Sequence, residues 1–308
     1  MRLAVTGANG LLGGEAIAAL ERDAGHEVLA LGRGRCRLAP GRYRWAEVDL
    51  GDGSTTAAAL LAFRAEAVLH AGALTDVDAC ERDPARAWRV NVDGTAEVAR
   101  ACAALGARLL ALSTDYVFDG RDGPYGEDDL PNPQSVYART KRCGEEAALL
   151  LAPDCAVGRV AVVFGGHPRA RPTYAATVVD RLSRGEPVQA FSDQRISTTL
   201  ASAGAERCLE LLVQHRYRGI IHLCDAEVVD RVDLARRIAR RFGLREDLVV
   251  PVRAAEGALL PVRRPLRPGL TVDRAAALLA AKPLRLDEAL ERFHAEWAER
   301  GGSQRPSQ

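Results

Sequence analysis

The chain has 308 residues, of which 47% are hydrophobic and 27% charged, and its formal net charge is +1. That length buries a sizeable core, as one large domain or two. The near-neutral balance removes any electrostatic ground for a nucleic-acid or acidic-membrane partner, and no apolar run reaches the roughly 18 residues of a membrane span.

In chain order, short apolar runs alternate with longer amphipathic stretches. Residues 3–7 (LAVTG) predict a buried strand and 11–22 a helix. Strands are expected at 26–32 and 44–50, then a helix at 54–64 and a strand at 65–72. The segment 85–105 predicts one long helix, 107–114 a fifth strand, 134–151 a helix and 155–165 a sixth strand. Strands that are apolar throughout, alternating with helices, predict a parallel sheet covered on both faces. With right-handed crossovers the expected class is α/β, a doubly wound parallel sheet of the Rossmann type. Beyond Gly165 the pattern loosens. Helices are expected at 171–185, 200–215, 231–243 and 285–300, and a Pro-rich turn at 263–270. A strand at 219–225 is placed to return to the main sheet. The expectation is a dinucleotide-binding domain of residues 1–165 plus about 196–242, and a smaller, discontinuous C-terminal substrate lobe of about 166–195 plus 243–300. Residues 301–308 are expected to form a flexible tail.

Seven cysteines stand at 36, 80, 102, 143, 155, 208 and 224, with no C-x-x-C and no zinc-like Cys/His spacing. Buried free thiols in a reducing cytosol are expected, and no metal site. The opening residues MRLAVTGANG carry no signal-peptide pattern, so the expected location is the cytoplasm. His70 and His222 read as strand-end core residues. The acids of GEDDLPNP (126–133) read as a solvated loop rather than a cation cage.

TGANGLLGG (6–14) follows the first strand and opens the first helix, with Gly7, Gly10 and Gly13 spaced G-x-x-G-x-x-G. Such glycines allow a tight turn, close backbone approach to a pyrophosphate, and helix–strand contact. The N–H groups and dipole of the helix N-terminus receive the negative charge. Asn9, Leu11 and Leu12 lie in the same loop and are candidates for the same contact. No acid ends the second strand, where one would bind the ribose hydroxyl of NAD. Arg33 and Arg35 stand there or just beyond, and suit the 2′-phosphate of NADP. NADPH is therefore the expected cofactor, with NADH the alternative. Asp49 and Leu50 end the third strand at the level of an adenine; an ordinary turn is the other reading.

Of 42 Lys plus Arg, only Lys141 and Lys282 are lysines. Lys141 follows Tyr137 by four residues on the helix expected at 134–151, so the two share one face. A free tyrosine titrates at about 10, and a neighbouring cation is expected to lower that value and fit Tyr137 for proton transfer. A compact ammonium suits the position better than the rigid fork of Arg. The bland alternative is a surface helix pair. Thr114 ends the fifth strand in LSTDYVFDG (112–120), at the sheet edge where ligands bind, and can hydrogen-bond a carbonyl oxygen beside Tyr137.

TGANGLLG, HAGALTDVDACERDP, NVDGT, STDYVFDG and YARTK occur in the order and at the distances of the extended short-chain dehydrogenase/reductases, which the chain resembles over about residues 1–295. STDYVFDG and LTDVDACE are similar to the dTDP-4-dehydrorhamnose reductase family in particular, as are FSDQRISTTLAS and RRPLRPGL. The resemblance implies catalysis by Thr114, Tyr137 and Lys141 and a pyrophosphate loop at Gly7, Gly10 and Gly13. It implies cofactor contacts at Ser113 and at Ala71, Gly72 and Ala73, and a structural role for Asn91. It puts Thr75, Val77, Asp115 and Tyr116 along the nicotinamide and sugar pocket, with Val162 and Arg195 on the substrate side. The implied activity is reduction of the C4 carbonyl of a nucleotide-linked 4-keto-6-deoxyhexose by a monomer or homodimer. Tyr116 stands where the related 4,6-dehydratases carry an acid, which favours reduction over dehydration. The chain departs from the family at Val162, where a Trp is usual, and at Thr198, where a Pro is usual. Two alternatives stay open: a non-catalytic dinucleotide-binding subunit like the methionine adenosyltransferase beta subunit, and a sugar-nucleotide epimerase.

Overall fold

The computed structural model describes residues 1–23, 25–165, 172–254, 262 and 264–301. Its first elements are β1 (Arg2–Thr6), α1 (Leu11–Arg22), β2 (Glu27–Gly32), β3 (Arg44–Glu47), α2 (Gly53–Phe63), β4 (Ala67–His70), α3 (Val77–Arg82) and α4 (Pro84–Trp88). A π-helical turn (Arg89–Asp93) leads into α5 (Gly94–Leu105), β5 (Arg108–Thr114), α6 (Val136–Leu151), β6 (Cys155–Val160) and β7 (Val163–Phe164). Then come α7 (Tyr174–Ser183), β8 (Val188–Phe191), β9 (Arg195–Ser197), β10 (Thr199–Leu200), α8 (Ala201–Gln214) and β11 (Gly219–His222). The last are β12 (Val228–Asp230), α9 (Arg231–Arg241), β13 (Val249–Val252), α10 (Asp273–Leu278) and α11 (Leu286–Glu299). Arg171 of the helix expected at 171–185, Arg263 of the turn expected at 263–270, and residues 302–308 of the expected tail lie outside the described residues. No helix among the described residues is long and apolar enough to cross a membrane.

Among the described residues, seven strands make one parallel sheet in the order β11-β6-β5-β4-β1-β2-β3. The doubly wound α/β fold is thus present, and the expected strand near 219–225 extends it beside β6. Successive side chains leave a strand on opposite faces. In β1, Leu3 and Val5 meet α1 and α8 on one face, through Ile17, Leu20 and Leu211. Ala4 meets the other face, with Leu60 and Phe63 of α2 and Val98 and Cys102 of α5. Burial on both sides explains why these strands carry unbroken apolar runs. Winding reverses between β1 and β4, and the carboxyl ends of those two strands mark the ligand-binding crevice of such sheets.

A second core joins α7, α9 and α11 to the small strand pairs β8/β13 and β9/β12, around Val179, Ile196, Ile238 and Phe293. Two segments pack across the expected division. Residues 228–241, expected with the dinucleotide domain, turn Val229, Val232 and Ile238 into the second core. Conversely α10, expected in the substrate lobe, buries Ala275 against the first. A helical period reveals that a face is buried, but not which core it meets. Two expected elements are also broken. The helix at 85–105 contains the π turn, and the strand at 155–165 is interrupted at Val162, whose φ of 25° lies in the left-handed region. That conformation is costly for a β-branched residue, and such strain collects at functional sites.

Candidate active site

The carboxyl ends of β1, β4, β5 and β6 open on a cavity of about 1300 Å³. Gly7, at its floor, has φ +67°, and a Cβ there would lie 2.6 Å from the Cα of Gly72 after β4. At Gly13 a Cβ would lie 2.4 Å from the Gly7 carbonyl oxygen. The loop is a cradle of bare backbone because neither position has room for a side chain. Helix α1 starts from Gly10 with no side-chain cap, and Leu11, Leu12 and Gly13 line the cavity. Its first N–H groups are orphan donors facing that space, an arrangement that receives phosphate. Gly7→Ala is expected to weaken dinucleotide binding by at least tenfold, read by calorimetric titration with NADPH (about 1.4 kcal/mol). Gly34→Ala is the control: its φ is also positive, at +71°, but nothing lies within 4 Å of the added carbon.

Asn9 staples the second wall to this cradle. Its Nδ2 donates to the carbonyls of Arg33 and Arg35, each at 3.0 Å, and its Oδ1 accepts from Arg37 N at 2.9 Å. Arg33, Arg35 and Arg37 all line the cavity, as do Asp49, Leu50 and Val90. Arg37 was not among the expected site residues, although its cationic neighbours were.

The chemistry lies at the ends of β5 and α6. Ser135 caps α6 by accepting from Ala138 N at 3.2 Å, which fixes the turn that carries Tyr137. Buried Asn91 sits in the π turn. It accepts from Leu74 N at 2.8 Å and donates to Thr140 Oγ1 at 3.1 Å, tying the segment after β4 to the catalytic turn of α6. Tyr137, Lys141, Ser113 and Thr114 all line the cavity. Lys141 Nζ donates to the Leu112 carbonyl at 2.8 Å. Burial lowers its pKa to about 8, against the opposing charge of Glu145 one turn on. Glu145 is itself held by Arg159 through two 2.8 Å bonds, a pair sealed from water.

The expected lowering of the Tyr137 pKa is not what the structure gives. Burial pushes the phenol up, and the hydrogen bond with Thr114 only partly offsets it. In a dry pocket the cost of forming phenolate outweighs the nearest favourable contact. Tyr137 is therefore a protonated acid at neutral pH.

The remaining expected residues divide. Ala71, Gly72, Ala73, Thr75 and Val162 line the cavity. Val77 stands behind it, packed with Val136 and Tyr137. Tyr116 meets the Tyr137 ring edge-on at 6.0 Å, and Asp115 is buried beneath Thr114. Arg195 lies apart from the main cavity. The pairing of β9 with β12 turns Ile196 inward, and Arg195 reaches Val228 O at 3.4 Å in a separate cavity of about 330 Å³. Arg86, Leu74, Pro172 and Thr173 line the main cavity without having been expected there; nothing in an arginine-rich sequence marks Arg86 out. His70 is internal, between Thr6 Oγ1 at 2.7 Å and Thr95 Oγ1 at 3.0 Å, and burial lowers its pKa to about 3.

The sequence matches the RmlD substrate binding domain over residues 1–298. It is 36% identical to dTDP-4-dehydrorhamnose reductase of Mycobacterium tuberculosis, over 83% of this chain and 80% of that protein. It is 29% identical to methionine adenosyltransferase 2 subunit beta of Bos taurus, over 90% of this chain and 82% of that one. The crystal structure of a hypothetical dTDP-4-dehydrorhamnose reductase from Sulfolobus tokodaii superposes with a TM-score of 0.80 at 31% identity, covering 93% of this chain and 98% of that chain.

Proposed function

The chain belongs to the RmlD substrate binding domain family, and on that premise we propose that it reduces the C4 carbonyl of dTDP-4-dehydrorhamnose, a nucleotide-linked 4-keto-6-deoxyhexose, with NADPH. The observation that carries this reading is the meeting of Thr114, Tyr137 and Lys141 in one cavity with a bare glycine cradle and an uncapped helix start. The cradle fits a dinucleotide: Gly7, Gly10 and Gly13 would receive the pyrophosphate, and Arg33 and Arg35 a 2′-phosphate. When bound, NADPH supplies the hydride that the carbonyl carbon accepts. Tyr137 gives its proton to the carbonyl oxygen as negative charge builds there. Leu112 takes one of the three N–H bonds of Lys141, which leaves two for a ribose hydroxyl and for the phenolate that Tyr137 becomes. Thr114 borders the same oxygen. Val162, Pro172 and Thr173 wall the cavity.

If Arg33 and Arg35 read the 2′-phosphate, replacing both by Ala raises the KM for NADPH about tenfold or more and leaves that for NADH nearly unchanged, as expected for lost charge-assisted hydrogen bonds. Steady-state kinetics with the two cofactors check this.

The likeness to a methionine adenosyltransferase subunit favours a second reading, a dinucleotide-binding protein that serves a partner enzyme. A third is an epimerase, which regenerates its cofactor. Deuterium transfer separates all three. Reduction with NADPH deuterated at the transferring position puts the label on C4 of the sugar, with one NADPH consumed per product. An epimerase consumes none, and a regulatory subunit transfers nothing.

A further inference from the structure

Asp115 carries a feature that proton donation by Tyr137 leaves unexplained. It is almost fully buried, and its Oδ1 accepts the Thr114 hydroxyl at 3.0 Å. Its Oδ2 is buried with no partner. A carboxylate oxygen in that state is costly, whereas a protonated carboxyl is not. The hydroxyl of Thr114 has one proton and also accepts from Tyr116 N at 3.2 Å. If that proton goes to Asp115, the Tyr137 phenol can meet Thr114 only as a donor. Both hydroxyl protons then point away from a carbonyl in the cavity.

We propose that Asp115 is a positioning residue that sets the direction of the hydrogen bonds through Thr114. Protonated, its carboxyl donates to Thr114 Oγ1, and the Thr114 hydroxyl turns to the reacting carbonyl oxygen. The Tyr137 proton is then free to follow. Ionised, Asp115 draws both hydroxyls the other way. No proton is gained or lost in the turn itself; Tyr137 still makes the transfer.

The surroundings of Asp115 suit such a group. Burial raises its pKa to about 7, against the hydrogen bond from Thr114 and the charge of Arg231 at the start of α9. Arg231 is occupied elsewhere, donating to Gln194 Oε1 and lying 4.9 Å from the Tyr174 ring. The phenols of Tyr116 and Tyr137 and the thiol of Cys224 face the same carboxyl, and none of the three ionises near neutral pH because burial raises each. Arg264 acts on Tyr116 and pairs with Asp78 at 3.0 Å.

This inference rests on the reductase reading, and its test separates the two. The pH profile of kcat is measured at saturating NADPH and keto-sugar. The parent is expected to lose activity as pH rises through about 7, from Asp115, and more steeply through about 8, from Lys141. Asp115→Asn keeps the second fall and loses the first. One pH unit above the Asp115 midpoint it should therefore outrun the parent about tenfold, and below that midpoint match it. In a Thr114→Ala background the same change should do nothing. Infrared titration of the unaltered protein should show a carboxylic-acid band lost near pH 7 and absent from Asp115→Asn. Retention of the first fall in Asp115→Asn, the same gain without Thr114, or absence of that band each overturns the proposal. A parent protein that oxidises no NADPH overturns the reductase reading instead, and the role given to Asp115 with it.

Discussion

Tyr137→Phe lowers kcat for carbonyl reduction by about a thousandfold and leaves NADPH affinity within about twofold of the parent. The variant keeps the ring that lies edge-on to Tyr116 and packs with Val77 and Val136. Only the hydroxyl goes, and with it a buried acid that lines the cavity and holds its proton at neutral pH. A raised phenol is the right state for reduction, because the group must start with its proton. Single-turnover mixing gives the chemical step, and calorimetry the cofactor affinity. An equal loss of affinity would mean that the hydroxyl serves binding rather than proton transfer.

Lys141→Arg keeps the charge and is nonetheless expected to lower kcat/KM about a hundredfold, the scale of a misplaced reacting group. Lys141 is buried and tied to the Leu112 carbonyl, with Glu145 one turn farther along α6 and paired to Arg159 of β6. A guanidinium brings five donors in a fixed fork, whereas the acceptor that holds Lys141 is the single Leu112 carbonyl. The fork displaces Tyr137 or leaves donors unpaired, and the melting temperature falls as well. Steady-state kinetics and thermal unfolding read the two effects. An active Arg variant would reduce Lys141 to a simple countercharge.

The sequence made the sheet legible because strands buried on both faces have only one way to look, apolar without interruption. The glycine loop and the Tyr137–Lys141 pair were legible because their chemistry fixes their spacing. The lobe was less so. Strands of two to four residues such as β7, β9 and β12 carry no usable period. The faces of α9 and α10 show burial without naming a core. The cavity that Arg195 lines was not legible, because a single residue within a motif does not say which way a short strand turns it. The direction of the Tyr137 shift could not be read from residue types at all. It depends on how dry the pocket is, and Lys141 spends one of its donors on a backbone carbonyl.

The measurement to make first is the oxidation of NADPH by the purified protein with dTDP-4-dehydrorhamnose, followed by the absorbance of the reduced nicotinamide, with Tyr137→Phe alongside. Oxidation that depends on the keto-sugar and nearly vanishes in the variant is the expected result. NADPH that binds but is not consumed, or equal rates in the two proteins, would contradict the assignment of Thr114, Tyr137 and Lys141 as a reductase site.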